Sequence, residues 1–165
     1  MLNRILPRQF DNTYRGYSLA LWLFGFVAAI KTLMGFNVSG LNPWISNRYV
    51  LMSADGIPVD SYGAEAGSVV TFMFASWGLE LLLLSLLSLL VLVRYRAMVP
   101  LMLLILLLEQ LGRKAIATIS PIIHAAEPQN TSVAPLINWA FTGVLLIAFL
   151  MSITRPRSQA QGPSD

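Results

Sequence analysis

Four stretches of this chain are long and apolar enough to cross a bilayer, and they carry Lys31, Glu80, Glu109 and Arg113 well inside them. A charged side chain at the centre of a membrane helix costs about 2.5–3.5 kcal/mol even on the lenient insertion scale. Such residues persist where they face the interior of a packed bundle and meet a partner. The backbone in turn must satisfy its own hydrogen bonds in hydrocarbon, which leaves helices as the economical solution. The expected fold is therefore all-α, an integral membrane four-helix transmembrane bundle with a polar cluster inside it.

Composition agrees. Of 165 residues, 56% are hydrophobic and 12% are charged, about half the charged fraction of an ordinary soluble domain. The length suits one small domain. No cysteine is present, which excludes disulfides, thiolate metal sites and thiol redox chemistry. The formal charge is +3, but the basic residues flank the apolar stretches and form no patch, so no nucleic-acid partner is expected. Phosphate loops, nucleophile elbows and zinc signatures are absent from the sequence. No catalytic residue, cofactor or metal site is expected.

Residues 1–16 read as a cytoplasmic N-terminal arm with Arg4, Arg8 and Arg15, in which Phe10 and Tyr14 can lie at the headgroups. The spans are expected at about 17–38, 67–93, 98–120 and 134–154, together a transmembrane domain over 17–154. The first apolar run is too long for a signal peptide and contains Lys31. Pro100 fits the first turn of the third span and Pro121 ends it. The outer loop 39–66 holds Pro43, Trp44, the turn Asp55-Gly56 and Pro58; within it Asn47–Met52 reads equally as a short strand or an interfacial turn. The tail 155–165 is Ser-, Gln- and Pro-rich and is expected to be disordered.

Orientation follows from the basic residues. Arg4, Arg8, Arg15, Arg94, Arg96, Arg155 and Arg157 lie in the arm, the second loop and the tail. The loops at 39–66 and 121–133 hold Arg48 against Asp55, Asp60, Glu65 and Glu127. The positive-inside rule then gives N-in/C-in topology; the membrane itself is expected to be a bacterial cytoplasmic (inner) one.

Helical rise places the buried polar groups. Counted from the nearest cytoplasmic arginine, Lys31 stands about 24 Å up, Glu80 about 21 Å, Glu109 about 20 Å, and Arg113 and Asn138 about 26 Å. Lys31, Glu80, Glu109, Arg113 and Asn138 thus form a candidate cluster in the outer half of the bilayer. Glu109 and Arg113 are four apart and can pair within one helix. Lys31 and Glu80 are natural partners across the first two spans. Lys114 points away from Glu109 and can snorkel to the interface. Thr71, Ala75, Gly78 and Ser85 form a small-residue stripe roughly opposite Glu80, suited to a helix contact, so the second span can touch protein on two sides. Two readings remain open: an ion-pair network that decides which helices pack, or a ligand, proton or ion site.

Other candidates are weaker. His124 is the single histidine and sits in an outer loop, where solvation is the commoner fate. Asp55, Asp60 and Glu65 match no calcium-loop pattern. Asn37-Val38-Ser39 and Asn130-Thr131-Ser132 are glycosylation sequons that matter only in a eukaryotic secretory pathway. Trp22, Trp44, Trp77 and Trp139 include interfacial anchors.

The first span, Leu23-Phe24-Gly25-Phe26-Val27-Ala28-Ala29-Ile30-Lys31, with a late lysine after glycine, together with the overall size, resembles the small four-span bacterial membrane proteins grouped as DoxX-like. That resemblance implies a four-helix bundle and an association with respiratory or redox membrane complexes; fold alone does not imply function. The leading expectation is a non-enzymatic accessory subunit or scaffold, with the lipid bilayer and a homodimer or membrane-complex partner as its contacts. The alternatives are a small transporter or ion-responsive protein, and a quinone- or lipid-modifying membrane enzyme.

Overall fold

A computed structural model describes residues 5, 6, 9, 11–54, 56–121 and 134–154. Among them all regular structure is helical and no strand occurs. The long helices are α1 (Ser18–Val38), α3 (Ala64–Arg94), α4 (Val99–Ile119) and α5 (Ala134–Ile153), and the short α2 (Asn47–Ala54) lies in the loop between α1 and α3. Three helical stretches are long and apolar enough to cross a membrane: Ser18–Val38, Ala64–Arg94 and Leu136–Ile153. The exception, α4, has 21 residues, about 31 Å at helical rise, but Glu109, Arg113 and Lys114 interrupt its apolar run.

Leu- and Ala-rich sequence favours helix throughout. At 31 residues, α3 is about 46 Å long, against a hydrocarbon core of about 30 Å. It begins three residues before the expected span because Glu65 in its first turn suits the positive end of the helix dipole. Its last residue, Arg94, leads into a 3-10 turn at Arg96–Met98, and Pro100 sits in the first turn of α4, where a missing N–H costs nothing. α4 stops at Ile119; Ser120 is non-helical, with φ −129° and ψ 73°, as the residue before Pro121 is sterically driven to be.

The segment read as a strand or interfacial turn is the helix α2. Ser46 decides it: its Oγ accepts from the Tyr49 N–H at 3.2 Å, an N-cap bond that satisfies one orphan donor of the first turn. α1 is closed off by Gly40 at φ 77°, a left-handed turn that a side chain would strain.

The chain divides into two compact units. One is Ala28–Leu87, with α2, the C-terminal part of α1 and most of α3. Here α1 and α3 pack at close range. A Cβ on Gly35 would stand 2.6 Å from the Leu82 backbone nitrogen, and one on Gly78 would strike the backbone of Val38 and Ser39. Both glycines are therefore required by the approach of the two backbones. Leu51 and Val59 are fully buried in the same unit.

The other unit holds residues up to Val27, 88–121 and most of α5. Phe24, Val27, Val91, Val99, Leu103, Leu106, Leu145 and Ala148 form its core. The Tyr17 N–H donates to the Met151 carbonyl at 3.2 Å, and the Ala97 N–H to the Asp11 carbonyl at 3.3 Å, which ties the N-terminal arm to both the last helix and the second turn. Large apolar side chains cover the outside of the long helices in both units, with Trp22 78%, Phe72 72% and Leu136 70% exposed. An apolar surface on that scale belongs in lipid rather than water.

Candidate functional site

The polar residues of α4 and α5 meet in a single chain of contacts. α4 turns Val99, Leu103, Leu106 and Gln110 to the protein interior, one heptad-like stripe. Gln110 is 3% exposed and bonds in both directions. Its Nε2 donates to Oδ1 of Asn138 at 2.9 Å, and its Oε1 accepts from Nη2 of Arg113 at 2.6 Å. The Arg113 Nε meets Oε1 of Glu109 at 2.7 Å. Both side chains are partly exposed, yet the two contacting atoms are sealed from solvent. Thr142 Oγ1 donates to the Asn138 backbone carbonyl at 2.9 Å. The order is Glu109, Arg113, Gln110, Asn138, all within one unit.

The electrostatics of this chain close on themselves. Glu109 neutralises Arg113, and the amides of Gln110 and Asn138 carry the hydrogen bonding from α4 to α5. Lys114, which follows Arg113, lies with its Nζ 3.9 Å from the centroid of the Trp139 ring. That cation–π contact is worth about 0.5–2 kcal/mol, more as water is excluded, and gives Lys114 a partner on α5.

Lys31 and Glu80 belong to the other unit and are not brought together as a pair. Gly35 opposes Leu82 and Gly78 opposes Val38, so the helices run antiparallel with Lys31 level with Leu86. Glu80 is six positions away, about 9 Å along the axis. Lys31 is buried at 3% exposure, whereas Glu80 is exposed. Matching depths counted from the cytoplasmic arginines placed them side by side; the close glycine packing sets a different register. The small-residue stripe does face protein: Gly78 packs on α1 and Ser85 is fully buried, its hydroxyl turned back to the Leu82 carbonyl at 2.9 Å. Glu80 lies on the other side of α3, beside the exposed Leu79 and Leu83. Among the described residues no hydrogen bond or ion pair reaches it.

Gln110 is the residue that sequence reasoning missed, although the stripe Val99, Leu103, Leu106, Gln110 marks it as inward-facing. Asp60, weighed as a cation ligand, accepts instead from Arg48 Nε at 2.7 Å, and among the described residues no group of three acidic or histidine side chains is placed to hold a metal. Asn37 Oδ1 accepts from Asn42 Nδ2 at 2.6 Å, closing the turn after α1. Asp55, His124, Glu127 and Asn130 lie outside the described residues.

No protein-family model, curated protein or solved structure matches this chain.

Proposed function

We propose that this chain is a four-span, N-in/C-in protein of a bacterial cytoplasmic membrane that acts as a non-enzymatic accessory subunit or scaffold of a membrane complex. The observation that carries this reading is Glu80. It is an exposed carboxylate near the middle of the most extended helix, about 21 Å from Arg94, among exposed leucines. A carboxylate left against lipid at that depth is costly. A neighbouring membrane helix that offers it a basic or hydrogen-bonding side chain removes the cost.

The Glu109–Arg113–Gln110–Asn138 chain supports the same reading from the other side. Its charge is neutralised internally and its amides are spent on joining two helices. That is the behaviour expected of packing contacts rather than of a reacting site. It also supports α4 as a fourth span, since paired and hydrogen-bonded charges enter a bundle more readily than bare ones. The resemblance of the first span to DoxX-like proteins points in the same direction.

The test is purification in a mild detergent followed by mass spectrometry and sizing, on the wild type and on Glu80→Gln. A subunit present in fixed ratio in the wild type and lost in Glu80→Gln is the expected result. A particle of doubled size that Glu80→Gln halves makes the partner a second copy. Single chains in both preparations overturn the reading.

A further inference from the structure

We propose that α2 is an interfacial helix, seated in the outer-leaflet headgroup region with Trp44, Tyr49 and Met52 dipping into lipid. The proposal rests on the membrane-spanning reading of α1 and α3.

α2 has two distinct faces. Asn47, Val50 and Leu51 turn towards the protein, with Leu51 1% exposed. At helical spacing, Tyr49 and Met52 fall on the opposite side, and Tyr49 is 64% exposed. Arg48 and Ser53, both exposed, flank them. Trp44, just before the helix, is 85% exposed, the highest value of any large apolar residue described. A loop helix with solvent on its outer side is expected to turn polar residues there; this one turns an aromatic, a methionine and, alongside, a tryptophan. Polar-tipped aromatics flanking a narrow apolar strip are the composition of a membrane–water interface.

Position supplies the second argument. Only residues 39–46 separate α1 from α2, and the Asn42–Asn37 bond and the Gly40 turn fold that link back on the end of α1. α2 therefore starts where α1 leaves the bilayer. Leu33 and Met34 of α1, Leu41 in the link and Trp44 are all exposed, as a lipid-facing belt that continues from the span into the loop requires. Arg48 is held by Asp60 at 2.7 Å, which places a polar, charge-neutral pair at the edge of the strip, suited to the headgroup level.

The absence of cysteine makes the test direct. Met52→Cys, Tyr49→Cys and, as an internal reference within a span, Leu33→Cys are each spin-labelled in liposomes, and collisions with oxygen and with a water-soluble nickel chelate are compared. Expected is a label at 49 and 52 favoured by oxygen, intermediate between Leu33→Cys and the same spin label free in water. Independently, quenching of wild-type tryptophan fluorescence by lipids brominated near the headgroup should fall in Trp44→Phe. Labels at 49 and 52 fully open to the chelate, with Leu33 in lipid, overturn the proposal and leave the spans intact. Labels shielded from both reagents also overturn it, and indicate a protein partner or a second copy on this face. A Leu33 label open to the chelate defeats the membrane-spanning reading itself.

Discussion

Gln110 on α4 donates from Nε2 to Oδ1 of Asn138 on α5 at 2.9 Å, across twenty-eight residues of chain. The same side chain accepts from Arg113 at 2.6 Å, so one buried amide couples an ion pair on its own helix to the neighbouring helix. Gln110→Leu keeps the volume and removes both bonds. It should lower stability by about 1–2 kcal/mol, the range for single hydrogen-bonding contacts between membrane helices. Asn138→Ala should cost less, and the pair should couple by about 0.5–1.5 kcal/mol in a double-mutant cycle. Thermal melting in detergent is the measurement; strict additivity contradicts the contact.

Glu109→Ala removes the carboxylate that faces Arg113 at 2.7 Å. The arginine then loses the carboxylate at a contact sealed from solvent, a change expected to cost about 1–3 kcal/mol. Glu65→Ala, in the exposed first turn of α3, loses a dipole contact of about 0.3–1 kcal/mol. Equal melting shifts for the two variants would show that the Glu109 pair carries no weight.

The glycines separate by their surroundings. Gly35→Ala puts a methyl 2.6 Å from the Leu82 backbone, and nothing lies within 4 Å of a Cβ on Gly112. Gly35→Ala should force α1 from α3 at a cost of about 1–3 kcal/mol. Gly112→Ala should be neutral or stabilising by up to about 1 kcal/mol through helix propensity. A stabilised Gly35→Ala protein would mean that α1 and α3 do not approach as described.

Tyr14, in the N-terminal arm, has its phenol pushed up to about 12 by burial, beside a hydrogen bond to the Tyr17 carbonyl at 3.3 Å. The raised value means that folding favours the neutral phenol. Its contribution is fully present below pH 10.0, the ordinary value, and is lost as pH rises through about 12. Stability should fall across that interval in the wild type and fall less in Tyr14→Phe. The wild-type-minus-variant absorbance of tyrosinate should titrate near the upper end; titration at the ordinary value refutes the burial.

Topology is checked with fusions. A fluorescent reporter at either terminus should be active in the cytoplasm, and alkaline phosphatase joined after Tyr62 should be active outside. Phosphatase activity at the C-terminus reverses the orientation.

The sequence by itself determined the all-helical class and the places of the long helices. Apolar runs of twenty or more residues can satisfy their backbone in lipid as helices, and prolines and arginines mark where they stop, so the bounds of α1, α4 and α5 were legible to within a residue or two. The Glu109–Arg113 contact was legible too, because four residues apart on one helix is a local relationship. Local signals failed at α2, where eight residues carry too little pattern and the Ser46 cap is the deciding contact. Tertiary structure alone decided what crosses between helices. Glycines at 35 and 78 let two backbones close together, and that contact fixes a register in which Lys31 and Glu80 stand at different levels. It also decided that Gln110, an unremarked amide, is the link to Asn138. Register and helix rotation depend on which surfaces interlock at ångström range, and counting residues from the membrane edge does not contain that information.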